Sequence, residues 1–399
     1  MSVLAPESEA ELAASIRSAW EAGEPLAIQG NGSKGAMLRP VQAARTLSTR
    51  ALSGISLYAP NELILEAGAG TPLATVEAAV AAAGQQIIAE PPDLSALLGA
   101  SSAQTIGGVV AANLSGPRRV AAGAMRDHLL GIRAVNGTGE VIRSGGRVLK
   151  NVTGLDLCKL LAGSHGTLGV LSAVTIKVLP AAESAGTLVL GGLDPARAVA
   201  ALSAALGSPY GVSGAAFLPA AAAARVPALA GLGASATLVR IEEFAVSVAY
   251  RTARLRDDLA RFGRADLLDD PASRAVWRAV RDVMPLAGGS GETVWRVSVR
   301  PSSGPAVLGA AEAAGGCGML DWGGGLVWIT APTAAAEAVM AGARAAGGTW
   351  MLMRAPETLR AVLPVVPPEP PALARLTRAV KAAFDPKGIL NPGRVFAGV

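Results

Sequence analysis

Two cysteines and two histidines among 399 residues exclude several classes of chemistry at once. Cys158 and Cys317 are too few for a disulfide framework and form no CxxC pair. His128 and His165 cannot build a histidine-rich metal centre, and no iron–sulfur ligand set is present, so no metal site is expected. Charged residues are scarce, 16% against 51% hydrophobic, which excludes a disordered chain. The net charge of +5 is spread along the sequence with no basic block, so nucleic acid is not an expected partner. The uncharged run Ala198 to Ala224 is interrupted by Pro209, Gly211, Gly214 and Pro219. It reads as soluble helix and loop, not as a transmembrane segment. The acidic, amphipathic start lacks a secretory leader pattern, and the expected location is the cytoplasm. Any redox chemistry would need an organic cofactor.

What the chain does have is length and glycine. Its length allows two or three domains. Leu12, Ile16 and Trp20 lie four apart, so Glu7 to Ala22 reads as a helix that Gly23 stops. Strands are expected at 26–29, 63–67 and 86–89. Thr71 as N-cap and Pro72 as first helical residue open a helix that Gly84 closes. Asn136-Gly137 turns a hairpin within 129–146. A short helix around Asp156–Leu161 and a long strand from Val170 to Val178 follow, and Pro180 ends the strand. Beyond Pro180 the composition shifts to Ala, Leu and Gly. Strands are expected at 293–301 and 325–330, then an extended Pro-rich connector at 362–372 and a helix from Leu373 to Phe384. The predicted architecture is α+β in three parts: 1–180, a second α+β domain at 181–372, and a C-terminal helix and tail at 373–399.

Glycine supplies 48 of the 399 residues, about 12%, so a GxGxxG match arises by chance roughly 0.7 times in such a chain. A lone match therefore carries little weight. GNGSKG at 30–35 follows a strand, but Pro40 denies it the helix that a Rossmann turn opens, and no acid stands between Gly35 and Glu62 to bind a ribose. It lacks the first glycine of a P-loop. An anion-binding loop or an ordinary turn remains. Two further glycine segments favour the first: TIGGVVAANLSGPRR at 105–119 and LLAGSHGTLGVLSAVTIKVLP at 160–180. Three such loops at element junctions suit an extended dinucleotide lying across one domain.

The order QGNGSK, EPPD, TIGG, GSHGTLGV resembles the FAD-binding domain of the vanillyl-alcohol oxidase / p-cresol methylhydroxylase family. GTPLATVEAAVAAAGQ, GPRRVAAGAMRDHLLG, KNVTGLDLCKLLAGSHGTLGVL, DWGGGLVWI and FDPKGILNPGRVF are similar, more closely, to the FAD-binding subunits of glycolate oxidases. The resemblance implies a two-part FAD-binding domain, an α+β cap domain, and a C-terminal segment returning towards the flavin. It implies that Gly30, Asn31, Gly32, Ser33 and Lys34 form a pyrophosphate loop. Thr105, Ile106, Gly107, Gly108, Asn113 and Gly116 would follow the pyrophosphate and flavin edge, with Pro92 near the ring. Arg126 and Asp127 would close the second half of the site, and Gly166 and Val170 would present backbone to the adenine. Several relatives attach FAD through a His where this chain has Ser33, so non-covalent FAD is expected. Asn391 could reach back to the flavin or form the turn before Pro392.

Other residues have plain structural readings. His128, Cys158 and His165 read as structural, and Cys317 has no activating neighbour. Arg118 and Arg119 read as solvated surface, or as an anion or partner contact. Arg296 and Arg300 would share one face of a cap-domain strand. Arg300 is the candidate to clamp a substrate carboxylate, with a rim salt bridge as its alternative. Hydroxy-acid dehydrogenases related to the catalytic glycolate oxidase subunit carry a His-rich cluster in the cap, and this chain has no His after 165. The resemblance therefore implies a complex that oxidises glycolate, a small 2-hydroxy acid, to glyoxylate, and that is at most peripheral to the inner membrane. Its other members would be a catalytic 2-hydroxyacid dehydrogenase flavoprotein subunit and an iron–sulfur subunit. A self-sufficient FAD-dependent oxidase of another alcohol, and a non-catalytic scaffold, remain as alternatives.

Overall fold

The computed structural model describes residues 2–146, 155–288 and 293–399. The first five residues of the KNVTGLDLCK block thus lie outside the described residues. Ser8 caps the first helix, Glu9–Ala22, by accepting from the Glu11 N–H, and Gly23 ends it in the left-handed conformation. Leu12, Ile16 and Ala19 form its buried stripe. That stripe packs beside a parallel three-stranded sheet ordered Ser2–Leu4, Arg45–Ser48, Leu26–Gln29. A second, antiparallel sheet runs Ile55–Ala59, Ile64–Gly68, Val170–Lys177, Leu129–Val135, Val141–Gly145. The helix after Thr71 is Leu73–Ala81, and its N-cap is Pro72. Thr71 does not cap it, because its hydroxyl accepts from Gly54 N–H and donates to Gly68 O.

From Ser184 onward the chain builds an eight-stranded antiparallel sheet. Its order is Ala265–Leu268, Ser184–Gly191, Ala236–Glu243, Val212–Leu218, Cys317–Asp321, Leu326–Ala331, Thr293–Ser298, Thr349–Arg354. Val212–Leu218 lies inside the run read as helix and loop. It is a central strand of small residues because Trp277 stands over it: a Cβ on Gly214 would sit 2.9 Å from that indole. The strand expected at 293–301 stops at Ser298. No described helix is long and apolar enough to cross a membrane.

Two devices join the halves. The first is a crossed set of four buried charges. Glu90, held at φ 50° just before Pro91-Pro92, accepts both Arg240 guanidinium bonds at 2.9 and 3.0 Å. Arg118 in turn donates to Glu242 at 2.9 and 2.6 Å, and Ser213 donates to the same carboxylate at 2.7 Å. Burial alone would raise both acids. The neighbouring arginines outweigh it, holding Glu90 below its ordinary range and Glu242 at about 2. The expectation of a solvated or partner-facing Arg118 is corrected: its side chain is 12% exposed and fully paired.

The second device is the C-terminal segment. Helix Pro371–Phe384 ends where Lys381 Nζ donates to Asp385, Thr167 O and Leu390 O, each within 2.8 Å. Asp385 also accepts from the Ile389 and Leu390 amides. Leu390 bridges Leu26 in parallel, and Ile389 and Leu390 enter the core with Leu12, Ile16 and Val170. The segment therefore returns to the first half, as the family resemblance implies.

Glu90→Gln leaves two buried arginines facing a neutral amide. It is expected to lower the unfolding free energy by about 3–5 kcal/mol, the usual cost of stranding one side of a buried pair. Urea titration followed by circular dichroism measures this. Arg264→Ala, which breaks an exposed pair with Asp266, should leave the midpoint unmoved. Equal behaviour of the two variants would show that the seam holds without its charges.

Candidate functional site

A cleft of about 540 Å³ opens where the three glycine segments and the returning tail meet. One wall is the end of strand Leu26–Gln29 with the loop Gly30–Gly35. Opposite stand Thr105, Gly107, Gly108, Ala111 and Ala112, of which Thr105 caps the short helix Ile106–Ala111 by accepting from Gly108 N–H. His165, Gly166, Gly169, Val170 and Leu171 form the floor, and Glu357, Arg360, Asn391 and Arg394 close it. Of the sequence candidates, the structure brings together Gly30, Asn31, Gly32, Ser33, Lys34, Thr105, Gly107, Gly108, Gly166, Val170 and Asn391.

The two glycines at 107 and 108 differ in purpose. A Cβ on Gly107 would lie 2.6 Å from the Ala69 Cβ, so its emptiness serves packing. A Cβ on Gly108 would project towards Thr105 Oγ1 at 3.2 Å and Lys34 Nζ at 3.7 Å, filling the cleft itself. Asn391 has no spare polar atom. Its Oδ1 accepts from Ile28 N–H at 2.7 Å, and its Nδ2 donates to His165 O at 2.8 Å. It staples the tail to the floor.

The charge of the cleft is one-sided. Lys34 donates to Gln104 Oε1 at 3.2 Å, Arg394 to Lys34 O and Arg39 O, and Arg360 to Gly35 O, Leu38 O and Ala355 O. None of these three cations forms an ion pair among the described residues. Glu357 is the one acid of the wall. Burial pushes Lys34 down to about 8, an effect that Asp93 only partly offsets. Burial and the charge of Arg360 bring Arg394 to about 10. Burial, Arg394 and Lys34 together hold His165 neutral, at about 3. Desolvated cations that form no ion pair, beside backbone that a ligand can approach, make a receptor for an anion such as a diphosphate.

Other candidates lie elsewhere. Ile106 is buried behind the wall. Gln104 Nε2 donates to Pro92 O, which places Pro92 behind Lys34. Asn113 accepts from Arg126 N–H, and Asp127 from Ala124 N–H. Arg126 and Asp127 are otherwise exposed and serve their own turn. Gly116 sits in the seam, where its carbonyl accepts from Trp322 Nε1. Arg300 is exposed, past the end of its strand and outside the cleft, because the strand breaks before Pro301. Arg296 faces inward instead, 5.0 Å from the ring of Trp322. The cations missed by the motif reading are Arg360 and Arg394. Arg394 stood inside the NPGR motif, while Arg360 is a lone arginine in ETLRAV with no signal around it.

Comparison with known proteins agrees with this geometry. A family model described as "FAD binding domain" matches residues 2–145, and one described as "FAD linked oxidases, C-terminal domain" matches 369–395. Glycolate oxidase subunit GlcE of Escherichia coli is 33% identical over 374 residues, covering 94% of this chain and 93% of that one. Glycolate oxidase subunit GlcD of Bacillus subtilis is 38% identical over 99 residues, 25% of this chain and 20% of that one. Among solved structures, p-cresol methylhydroxylase with substrate bound superposes with a TM-score of 0.74 at 13% identity, over 99% of this chain and 88% of that chain, and so shares the fold. The chain belongs to the family of FAD-linked oxidoreductases that includes glycolate oxidase subunit GlcE.

Proposed function

We propose that this chain is the FAD-binding subunit of a complex that oxidises glycolate to glyoxylate, holding its FAD without a covalent bond and passing the electrons to a partner. The observation that carries this reading is the cleft in which Lys34, Arg360 and Arg394 stand desolvated and, among the described residues, form no ion pair. Its residues fit the cofactor. Lys34, Arg394 and the amides of 30–34 would hold the diphosphate, Gly108 would leave room for it, and Gly166 and Val170 would border the adenine. Neutral His165 suits that end because it adds no charge beside the purine. Ser33 offers no imidazole for attachment. When bound, FAD supplies a two-electron acceptor for conversion of a C–OH group to C=O.

The similarity to GlcE and GlcD, both named as subunits, supports an assembly. We place a hydroxyacid dehydrogenase flavoprotein and an iron–sulfur protein as its other members, and the assembly in the cytoplasm or against the inner face of the membrane. The FDPKGILNPGRVF block leaves Pro386 and Lys387 exposed, whereas the residues of the two blocks that pack this chain's own core are buried. Asp321, Leu390 and Asn391 within them are nearly wholly buried in this chain.

Acid precipitation of the purified yellow chain is expected to leave a colourless pellet and a yellow supernatant, and a coloured pellet would show a covalent flavin. Glycolate-dependent dye reduction should be weak from the chain alone and substantial after co-expression with the two partner subunits. Full activity from the single polypeptide would instead make it a self-sufficient oxidase, and a colourless chain a scaffold.

Lys34 gives the cleft a pH signature. Its pKa of about 8 rises when a diphosphate binds, so binding takes up a proton above that pH. FAD affinity should be flat from pH 6 to 7.5 and then fall by up to about tenfold per pH unit. In Lys34→Gln the affinity should be lower and the slope absent. Parallel profiles for the two proteins, measured by fluorescence titration, would remove Lys34 from the site.

A further inference from the structure

We propose that the outer face of helix Pro371–Phe384 is the surface by which this chain joins its assembly, packing against an amphipathic helix of a partner subunit whose apolar stripe is edged with acids. The proposal rests on the reading of the chain as one subunit of a complex and adds the place where that subunit is held.

In this helix the usual order of inside and outside is reversed. Of its 14 residues only Lys381 is buried, and Ala374, Thr377 and Phe384, which share its side at spacings of three and four, are half-buried. Leu373 and Leu376 are instead 47% and 59% exposed. A helix on the surface of a soluble protein normally hides leucine and presents lysine. Polar bonds hold this one at two points. Thr377 donates to Glu369 at 2.8 Å, and Lys381 donates to Asp385, Thr167 O and Leu390 O. Helices of this length are marginal in water and draw most of their stability from packing an apolar face. Here the chain itself leaves that face uncovered.

The pattern on the uncovered side defines its complement. Leu373, Leu376, Val380 and Ala383 follow one another at intervals of three, four and three, the seam that one helix offers another in a coiled coil. The charge of the helix has one sign. Arg375 and Arg378 are exposed and form no ion pair among the described residues, and no acid stands from Pro370 to Phe384. Glu369, just before the helix, is taken by Thr377. A second copy of this chain would set like charges against like, so the complement is a different chain that carries Asp and Glu beside its own apolar stripe. A lipid surface fits less well. Interfacial helices anchor through outward aromatic side chains, and Phe384 is half-buried on the inner side.

The test co-expresses the tagged chain with the hydroxyacid dehydrogenase flavoprotein and the iron–sulfur subunit, purifies it in one step, and measures the recovered partners and the FAD. The wild type should bring both partners down. Leu373→Glu and Leu376→Glu should each lower their recovery about tenfold or more. The uncharged Leu376→Ser should lower it less, and it decides the matter should a glutamate variant lose its FAD. Val246→Glu, at a side chain 84% exposed on the helix Ala245–Leu259, should change nothing. FAD content and circular dichroism should match the wild type in all four, since Leu373 and Leu376 lie outside the cofactor cleft and glutamate suits a helix. Raising the salt from about 0.1 to 0.5 M should lower wild-type recovery several-fold and affect the double variant Arg375→Gln, Arg378→Gln much less. An equal salt response of the two would remove the acidic edge. Undiminished recovery in both leucine-to-glutamate variants, or an equal loss in Val246→Glu, would overturn the docking face while leaving the complex intact. A wild type that recovers neither partner would overturn the complex reading, and the docking face with it. A wild-type dimer in sedimentation that Leu376→Glu splits would give the face to a second copy. Flotation with phosphatidylglycerol vesicles that Leu376→Glu abolishes would give it to the membrane. Either result overturns the proposal.

Discussion

The four buried charges at the seam, Glu90 with Arg240 and Arg118 with Glu242, set the relation on which the rest of the structure depends. Each pair reaches from one half to the other, so neither half can shift without stranding a charge. Desolvating four charged groups is costly, and that cost is met only at one relative placement, where every donor finds its acceptor. Hydrophobic contact alone would allow sliding, since the apolar core continues through both halves. The charges therefore supply register, while the core supplies most of the stability.

With the halves fixed, two kinds of cation can be told apart. Arg118 and Arg240 are spent on the protein's own acids. Lys34, Arg360 and Arg394 are buried against carbonyls and one amide oxygen, with no ion pair among the described residues, in a cleft lined by glycine. Folding has already met the cost of burying them, so a bound anion regains that cost as affinity. The seam and the cleft thus use the same side chains for opposite ends, and only the presence or absence of a carboxylate separates them.

Much of this was legible from the residues. The helix Glu9–Ala22, the hairpin at Asn136-Gly137 and the long strand from Val170 declare themselves through caps, turn residues and alternation. The glycine segments that meet in the cleft were readable because each sits at an element junction. Val212–Leu218 was hidden, because a strand covered by Trp277 needs small residues, and Gly-Ala-Ala carries no strand signature. Arg300 was placed on one strand face with Arg296 because strand alternation was carried two residues too far, past the end of the strand at Ser298 and up to Pro301. Arg240 lies 150 positions from Glu90, and Gly35 and Leu38 lie 325 and 322 from Arg360, and no local pattern foretells such pairings.

The return of the tail to Leu26 also has a consequence in time. Leu390 lies 364 positions after Leu26 (390 − 26 = 364), and the two are joined as neighbours in one bridge. A ribosome adding about 5–20 residues per second takes roughly 20–70 s to cover that distance. Throughout that interval the nascent first half has its glycine loops but not Asn391 to staple the floor, nor Arg394 to hold the loop at Lys34 O. The binding cleft is thus completed late in the birth of the chain, and a cofactor can be retained only by a molecule whose synthesis has run on through that segment.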